Sequence, residues 1–215
     1  MAPHILAYVS DAAALSVPGK LRAVLRVAIV VAVVAALITV EATSRSGVLW
    51  RMITFTYQAS VLAAAYYLWT LIWPRADARI GLRGAVVLYV VIAGVVWNLF
   101  LTEYSMGYTG ANILLHVVVP VLAVADWLLV GRGQGQVHWW QPVAWLLYPA
   151  AYLALALAVL NNTGRRAPYY FIDPNTVGIT AVVLNVCVLA AVVLAFGYAL
   201  LAVNRIATRT RIDAP

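Results

Sequence analysis

The polar residues of this chain gather in short clusters that separate six long apolar runs, approximately residues 21–40, 52–73, 84–102, 111–130, 139–160 and 176–203. A helix of ~20 mainly apolar residues crosses a hydrocarbon core of about 30 Å, and each run meets that length. The pattern predicts an all-α, polytopic membrane protein, a bundle of six transmembrane helices in a single transmembrane domain covering residues 1–215. Within it, residues 1–20 form a cytoplasmic or interfacial segment, residues 21–203 the bundle and residues 204–215 a cytoplasmic tail. The first run follows a leading segment and precedes no clean small-residue cleavage site, so it reads as a span and not as a signal peptide. The last is long enough to tilt or to project beyond the bilayer.

Composition agrees with the pattern. At 65% hydrophobic and 10% charged residues the chain has too little polar surface to cover a water-soluble domain. The net charge of +7 comes from residues at the ends of the apolar runs, which suits phospholipid headgroups and forms no patch for nucleic acid. Six spans put both termini on one side. Lys20, Arg22, Arg26, Arg75, Arg79, Arg83, Arg132, Arg205, Arg209 and Arg211 lie on that side, against Arg45, Arg51, Arg165 and Arg166 on the other, so both termini are expected to be cytoplasmic. The preference for Arg over Lys, with Ala and Val filling the apolar runs, points to a GC-rich bacterial source and hence to a bacterial cytoplasmic membrane. Cys187, the single cysteine, excludes an intrachain disulfide and reads as a small core residue. There is no internal repeat of the inverted-transporter kind, and the glycines of GRGQG lack the strand, helix and lysine of a phosphate loop.

The polar residues inside the runs carry the chemistry. Thr54, Asn98 and His116, on three different spans, fall within about 4–9 Å of the same, outer boundary at 1.5 Å per residue. Gln58 stands one turn below Thr54 and Asn112 one turn above His116; Asn185 lies somewhat deeper. Polar groups in lipid must face one another or a wet cavity, so the convergence predicts an interior pocket near the outer leaflet. Pro120 has no N–H to offer the carbonyl of His116, four residues earlier, which leaves a kink or a free acceptor there. Most membrane threonines bond their own helix, and Thr56 is the comparison position for Thr54. An intramembrane histidine is rarer, its bland role being an interhelical hydrogen bond. Glu103 and Asp173 fall at the outer rim, where they are expected to be solvated or paired with Arg, Asp126 reads as an interfacial anchor beside Trp127, and His4 and His138 lie in cytoplasmic segments.

A hydroxyl with an imidazole in reach is a nucleophile with its general base. Thr54 and His116 are the candidate catalytic pair; Tyr57, Gln58, Asn98, Asn112, Asn185 and Asp173 are candidates for binding substrate or supporting an oxyanion. No acid lies at the depth of His116, so an amide or backbone carbonyl would have to orient it. One intramembrane histidine and one cysteine are too few ligands for haem or zinc, and no metal or cofactor is expected.

The stretches RMITFTYQASVLAAAYY, LLHVVVPVLAVADWLL and YYFIDP resemble the androgen-induced-gene family of six-helix membrane proteins, in its bacterial branch. The resemblance covers roughly spans two to six. It implies a transmembrane threonine hydrolase of fatty acid esters of hydroxy fatty acids, with the nucleophile at Thr54 of ITF and the histidine at His116. Tyr170 stands where the family usually has proline. The expected substrate is a lipid ester. The competing expectation is a non-catalytic lipid-binding protein or a transporter of a lipophilic molecule, which would place its polar groups around the midplane.

Overall fold

The structure, a computed structural model, describes residues 19–43, 47–130, 136–163 and 168–212; side chains of 159–163 and 207–212 are outside that description. The leading segment with His4, Arg45, the GRGQG stretch with Arg132, Arg165 and Arg166, and residues 213–215 lie outside the described residues. Everything regular in the described residues is helical. In chain order the helices are α1 (Gly19–Thr43), α2 (Val48–Met52), α3 (Phe55–Ile72), α4 (Ile80–Leu101), α5 (Gly110–Leu129), α6 (Gln141–Ala144), α7 (Leu147–Thr163), α8 (Pro174–Val177) and α9 (Ile179–Ile212). Five segments, Gly19–Thr43, Ile80–Leu101, Gly110–Leu129, Gln141–Ala158 and Ile179–Ile206, are long and apolar enough to cross a membrane.

Helices that share a membrane gain little from burying apolar surface, so they associate where small residues let backbones approach. α1 and α3 each contribute such a pair one turn apart, Ala32 with Ala36 and Ala59 with Ala63, all buried, and the two helices pack together. α4 and α5 pack on this pair and on each other. α4 approaches α5 closely at Gly94, where a Cβ would stand 2.7 Å from the His116 carbonyl oxygen and 2.9 Å from Pro120 Cγ.

Several boundaries differ from the apolar runs, each for a hydrogen-bonding reason. The second run is interrupted: α2 ends, and Thr54 is the extended N-cap of α3 with φ −80° and ψ 138°. Its amide and hydroxyl both donate to the Arg51 carbonyl, at 2.9 and 2.8 Å, so the side chain takes part in the turn that ends α2. The fifth run breaks between α6 and α7, where Pro149 has no N–H for the Trp145 carbonyl and the Tyr89 hydroxyl donates to it instead, at 3.0 Å. Before α9, Gly178 takes φ +81°, a conformation that excludes most side chains. α9 then runs to Ile212, so the helix continues through residues 204–212. Cys187 lies on the exposed face of α9 and not in the core.

At the end of the bundle opposite His116, a charge cluster joins four elements. Arg26 of α1 donates through Nη2 to both oxygens of Asp77, at 2.8 Å each, and through Nε to Asp126 Oδ1 at 3.2 Å. Arg83 of α4 donates to Asp126 Oδ2 at 2.9 Å, and Arg22 approaches Asp77 at 3.6 Å. Asp126 is fully buried, so it is the centre of an ion cluster and not an interfacial anchor. Two buried carboxylates and two buried guanidiniums cancel, which is the condition under which charges persist away from water.

Candidate active site

His116 sits on a π-helical turn, Leu114–Val118, facing a second one, Trp97–Leu101, at the end of α4. Such turns insert a residue into the helical ladder and re-aim the side chains around it. Here the face of Trp97 stacks on the imidazole, ring centres 4.5 Å apart and planes 16° from parallel. The carbonyl that Pro120 leaves free at His116 is taken by Asn98 Nδ2 at 3.1 Å, and the same amide donates to Gly94 O at 2.8 Å. Asn98 Oδ1 in turn accepts from the Tyr108 hydroxyl at 3.0 Å.

The two ring nitrogens have different partners, and these fix the tautomer. Nδ1 lies 3.0 Å from the carbonyl oxygen of Asn112, which can only accept, so Nδ1 carries the proton. Nε2 is therefore the free base. It lies 3.3 Å from Oγ1 of Thr56, whose hydroxyl is the donor. A backbone carbonyl thus orients the imidazole as an aspartate does in a Ser-His-Asp triad.

The partner of His116 is Thr56, the comparison position, and no hydrogen bond among the described residues joins His116 to Thr54. Thr56 is buried in the first turn of α3 and lines an apolar cavity of about 280 Å³ bounded by α4, α7, α9 and the start of α3. Ile92 and Val96 of α4, Leu153 of α7 and Leu189 of α9 form its walls; Tyr169 and Phe171 close one side. The volume approaches the lower end of that found for small-ligand pockets, ~300 Å³.

The polar side chains of Gln58, Asn112, Asn185 and Asp173 have structural partners. Gln58 donates to Met52 O at 2.6 Å and accepts from the Tyr148 hydroxyl at 2.9 Å, tying α7 to the break before α3. Asn112 Nδ2 donates to Gly107 O at 2.7 Å, and Asn185 Nδ2 to Phe171 O at 2.9 Å. Tyr57 is buried against Ala36 and Leu115, away from the cavity lining. Asp173 is the N-cap of α8, accepting from Asn175 N at 3.0 Å and Thr176 Oγ1 at 2.8 Å; its bonds are to its own turn and not to an arginine. Glu103 is exposed.

Thr56, Trp97 and Tyr169 are the site residues that the sequence reading did not select. The spacing of Thr56 and His116 along their spans is close to that of Thr54, so depth alone could not separate the two threonines. No protein-family model, curated protein or solved structure matches the chain.

Proposed function

We propose that the protein is an intramembrane hydrolase of lipid esters, such as fatty acid esters of hydroxy fatty acids, in which a threonine hydroxyl at the start of α3 is the nucleophile and His116 its base. The observation that carries this reading is Thr56 Oγ1 within 3.3 Å of an imidazole nitrogen that its other partner leaves unprotonated, at the wall of an apolar cavity. The cavity receives the acyl chain. Thr56 Oγ1 attacks the ester carbonyl as its proton passes to Nε2; the tetrahedral intermediate collapses, the alcohol leaves with that proton, and water, deprotonated by the same nitrogen, releases the acid.

Six spans accommodate this site. α3 joins the five apolar helices as the sixth: its 18 residues reach ~27 Å. Thr56, Tyr57, Ser60, Tyr66, Tyr67 and Thr70 are buried within the bundle, where polar groups are tolerated in a membrane. With both termini cytoplasmic by the distribution of arginines, the charge cluster faces the cytoplasm and the His116 site the outer leaflet of a bacterial cytoplasmic membrane.

The second reading keeps the reaction and moves the nucleophile to Thr54, on the strength of the ITF motif and the family resemblance. Purified protein in detergent, given a fatty acid ester of a hydroxy fatty acid, is expected to release both acids. Thr56→Ala and His116→Ala are expected to abolish release, whereas Thr54→Ala retains it; the reverse pattern for the two threonines selects the second reading. Binding of the ester without turnover would make the protein a lipid binder and end the hydrolase account.

A further inference from the structure

The cavity beside Thr56 is lined by matching stripes on two packed helices. α4 supplies Tyr89, Ile92, Ala93 and Val96, and α9 supplies Val186, Leu189, Ala190 and Val193. Each set has the i, i+3, i+4, i+7 spacing of one helix face and covers about 10 Å along its axis. The reacting pair marks one end. Trp97, next to Val96, stacks on His116, and Asn185, next to Val186, bonds the carbonyl of Phe171, which closes that side of the cavity. Leu101 lies beyond Val96 at the same end.

The opposite end is closed around Trp145. The Tyr89 hydroxyl donates to the Trp145 carbonyl at 3.0 Å, and Leu146, the next residue, lines the cavity. The indole is wedged between glycines of the two helices: a Cβ at Gly84 of α4 would stand 2.6 Å from Trp145 Cη2 and Cζ2, and one at Gly197 of α9 would stand 3.5 Å from Cε3. Gly197 is one turn beyond Val193, and Gly84 lies more than one turn beyond Tyr89, so the ring spans the end of both stripes. Trp145 is buried, and glycine at both positions lets a side chain of that size sit between packed helices.

We propose that this end wall, the Leu146 side chain backed by the Trp145 indole, determines the length of acyl chain that the site accepts. The inference deepens the lipid-ester reading and rests on it for its consequence in turnover; its consequence in binding rests on the shape of the cavity. An extended chain advances ~1.25 Å per carbon, the projection of a ~1.5 Å C–C bond near the tetrahedral angle, so a stripe of ~10 Å holds about eight carbons. A methylene that passes from lipid into the cavity exchanges one apolar surrounding for another, whereas one that meets the wall must force packed side chains apart. The ligand is a medium-length acyl chain with its ester at the Thr56 end.

The test uses the full chain in lipid nanodiscs, with a fluorescent fatty acid as the bound probe and saturated fatty acids of increasing length as competitors. The same lengths are then compared as acyl groups in esters of one hydroxy fatty acid, read by release of product. In the wild type, competition is expected to fall about tenfold or more when the chain exceeds the wall, the discrimination of an apolar pocket against an excess methylene. Leu146→Ala recedes the wall and is expected to move the limit to longer chains; Ala190→Phe fills part of the stripe on α9 and is expected to move it to shorter ones. Hydrolysis is expected to follow the same limits. Equal competition by all lengths in the wild type overturns the inference, and so does a limit that stays in place in whichever variant folds. Limits that shift in binding without any hydrolysis remove the hydrolase reading and leave the length selection intact.

Discussion

At one end of the bundle Arg26, Arg83, Asp77 and Asp126 bury four formal charges; at the other, Thr56 and His116 bury neutral groups beside an apolar cavity of about 280 Å³. Both ends draw polar side chains from several helices. In the charge cluster the charges cancel and each carboxylate is bound by more than one guanidinium, and the result is a clasp between α1, α4, α5 and the turn at Asp77. At the His116 end the base nitrogen holds a single hydroxyl, and that hydroxyl borders space of molecular size. A closed polar network fixes helices; one that ends at a cavity has a bond to exchange with a ligand. Burial of polar groups alone does not separate these roles, and satisfaction does.

The contrast can be broken first at the charged end. Asp126→Ala leaves the buried guanidiniums of Arg26 and Arg83 to share the single carboxylate of Asp77, one positive charge in excess, and is expected to cost about 3–5 kcal/mol, read as loss of folded protein or a large fall in Tm in detergent. A Tm close to that of the wild type would mean that water reaches these arginines and that the cluster is no clasp. Between the two ends, Gly94→Ala forces a Cβ against the His116 carbonyl and the Pro120 ring, neither of which can swing aside. About 1–3 kcal/mol of stability should be lost by denaturant titration, with hydrolysis impaired beyond that as His116 is displaced.

Smaller changes sharpen the site itself. Asn98→Leu removes the donor that Pro120 made necessary and leaves the His116 carbonyl unpartnered, at about 1–3 kcal/mol. Its kcat is expected to fall more than its stability, and equal kcat in folded variant and wild type would detach that carbonyl from catalysis. Gln58→Leu should be the mildest, losing about 1 kcal/mol from its bonds to Met52 and Tyr148 with turnover preserved. Loss of turnover in well-folded Gln58→Leu would restore this amide to the oxyanion role that sequence spacing offered it.

What the sequence made legible follows from what apolar runs report. A run of hydrophobic residues measures the length of a helix, and the all-helical architecture and five segments long and apolar enough to cross a membrane follow from it. Pro120 was legible too, because a missing N–H is a local fact, and the His116 carbonyl it leaves free is where Asn98 bonds. The break at Thr54 was not, since a hydroxyl that completes a turn has the same hydropathy as one inside a helix. Nor were the π-helical turns, which shift the side chains by one position and bring Trp97 onto His116. The charge cluster joins residues 51 and 100 positions apart, and nothing near Asp126 in the chain names its partners. Thr56 differs from Thr54 only in what it faces, which depends on all of these.

Reaction of the purified protein with a fluorophosphonate probe, followed by mapping of the modified residue, tests the imidazole-activated hydroxyl most directly. A covalent adduct on Thr56 that disappears in His116→Ala is expected. No adduct in the first turn of α3, or labelling that His116→Ala leaves undiminished, would contradict it.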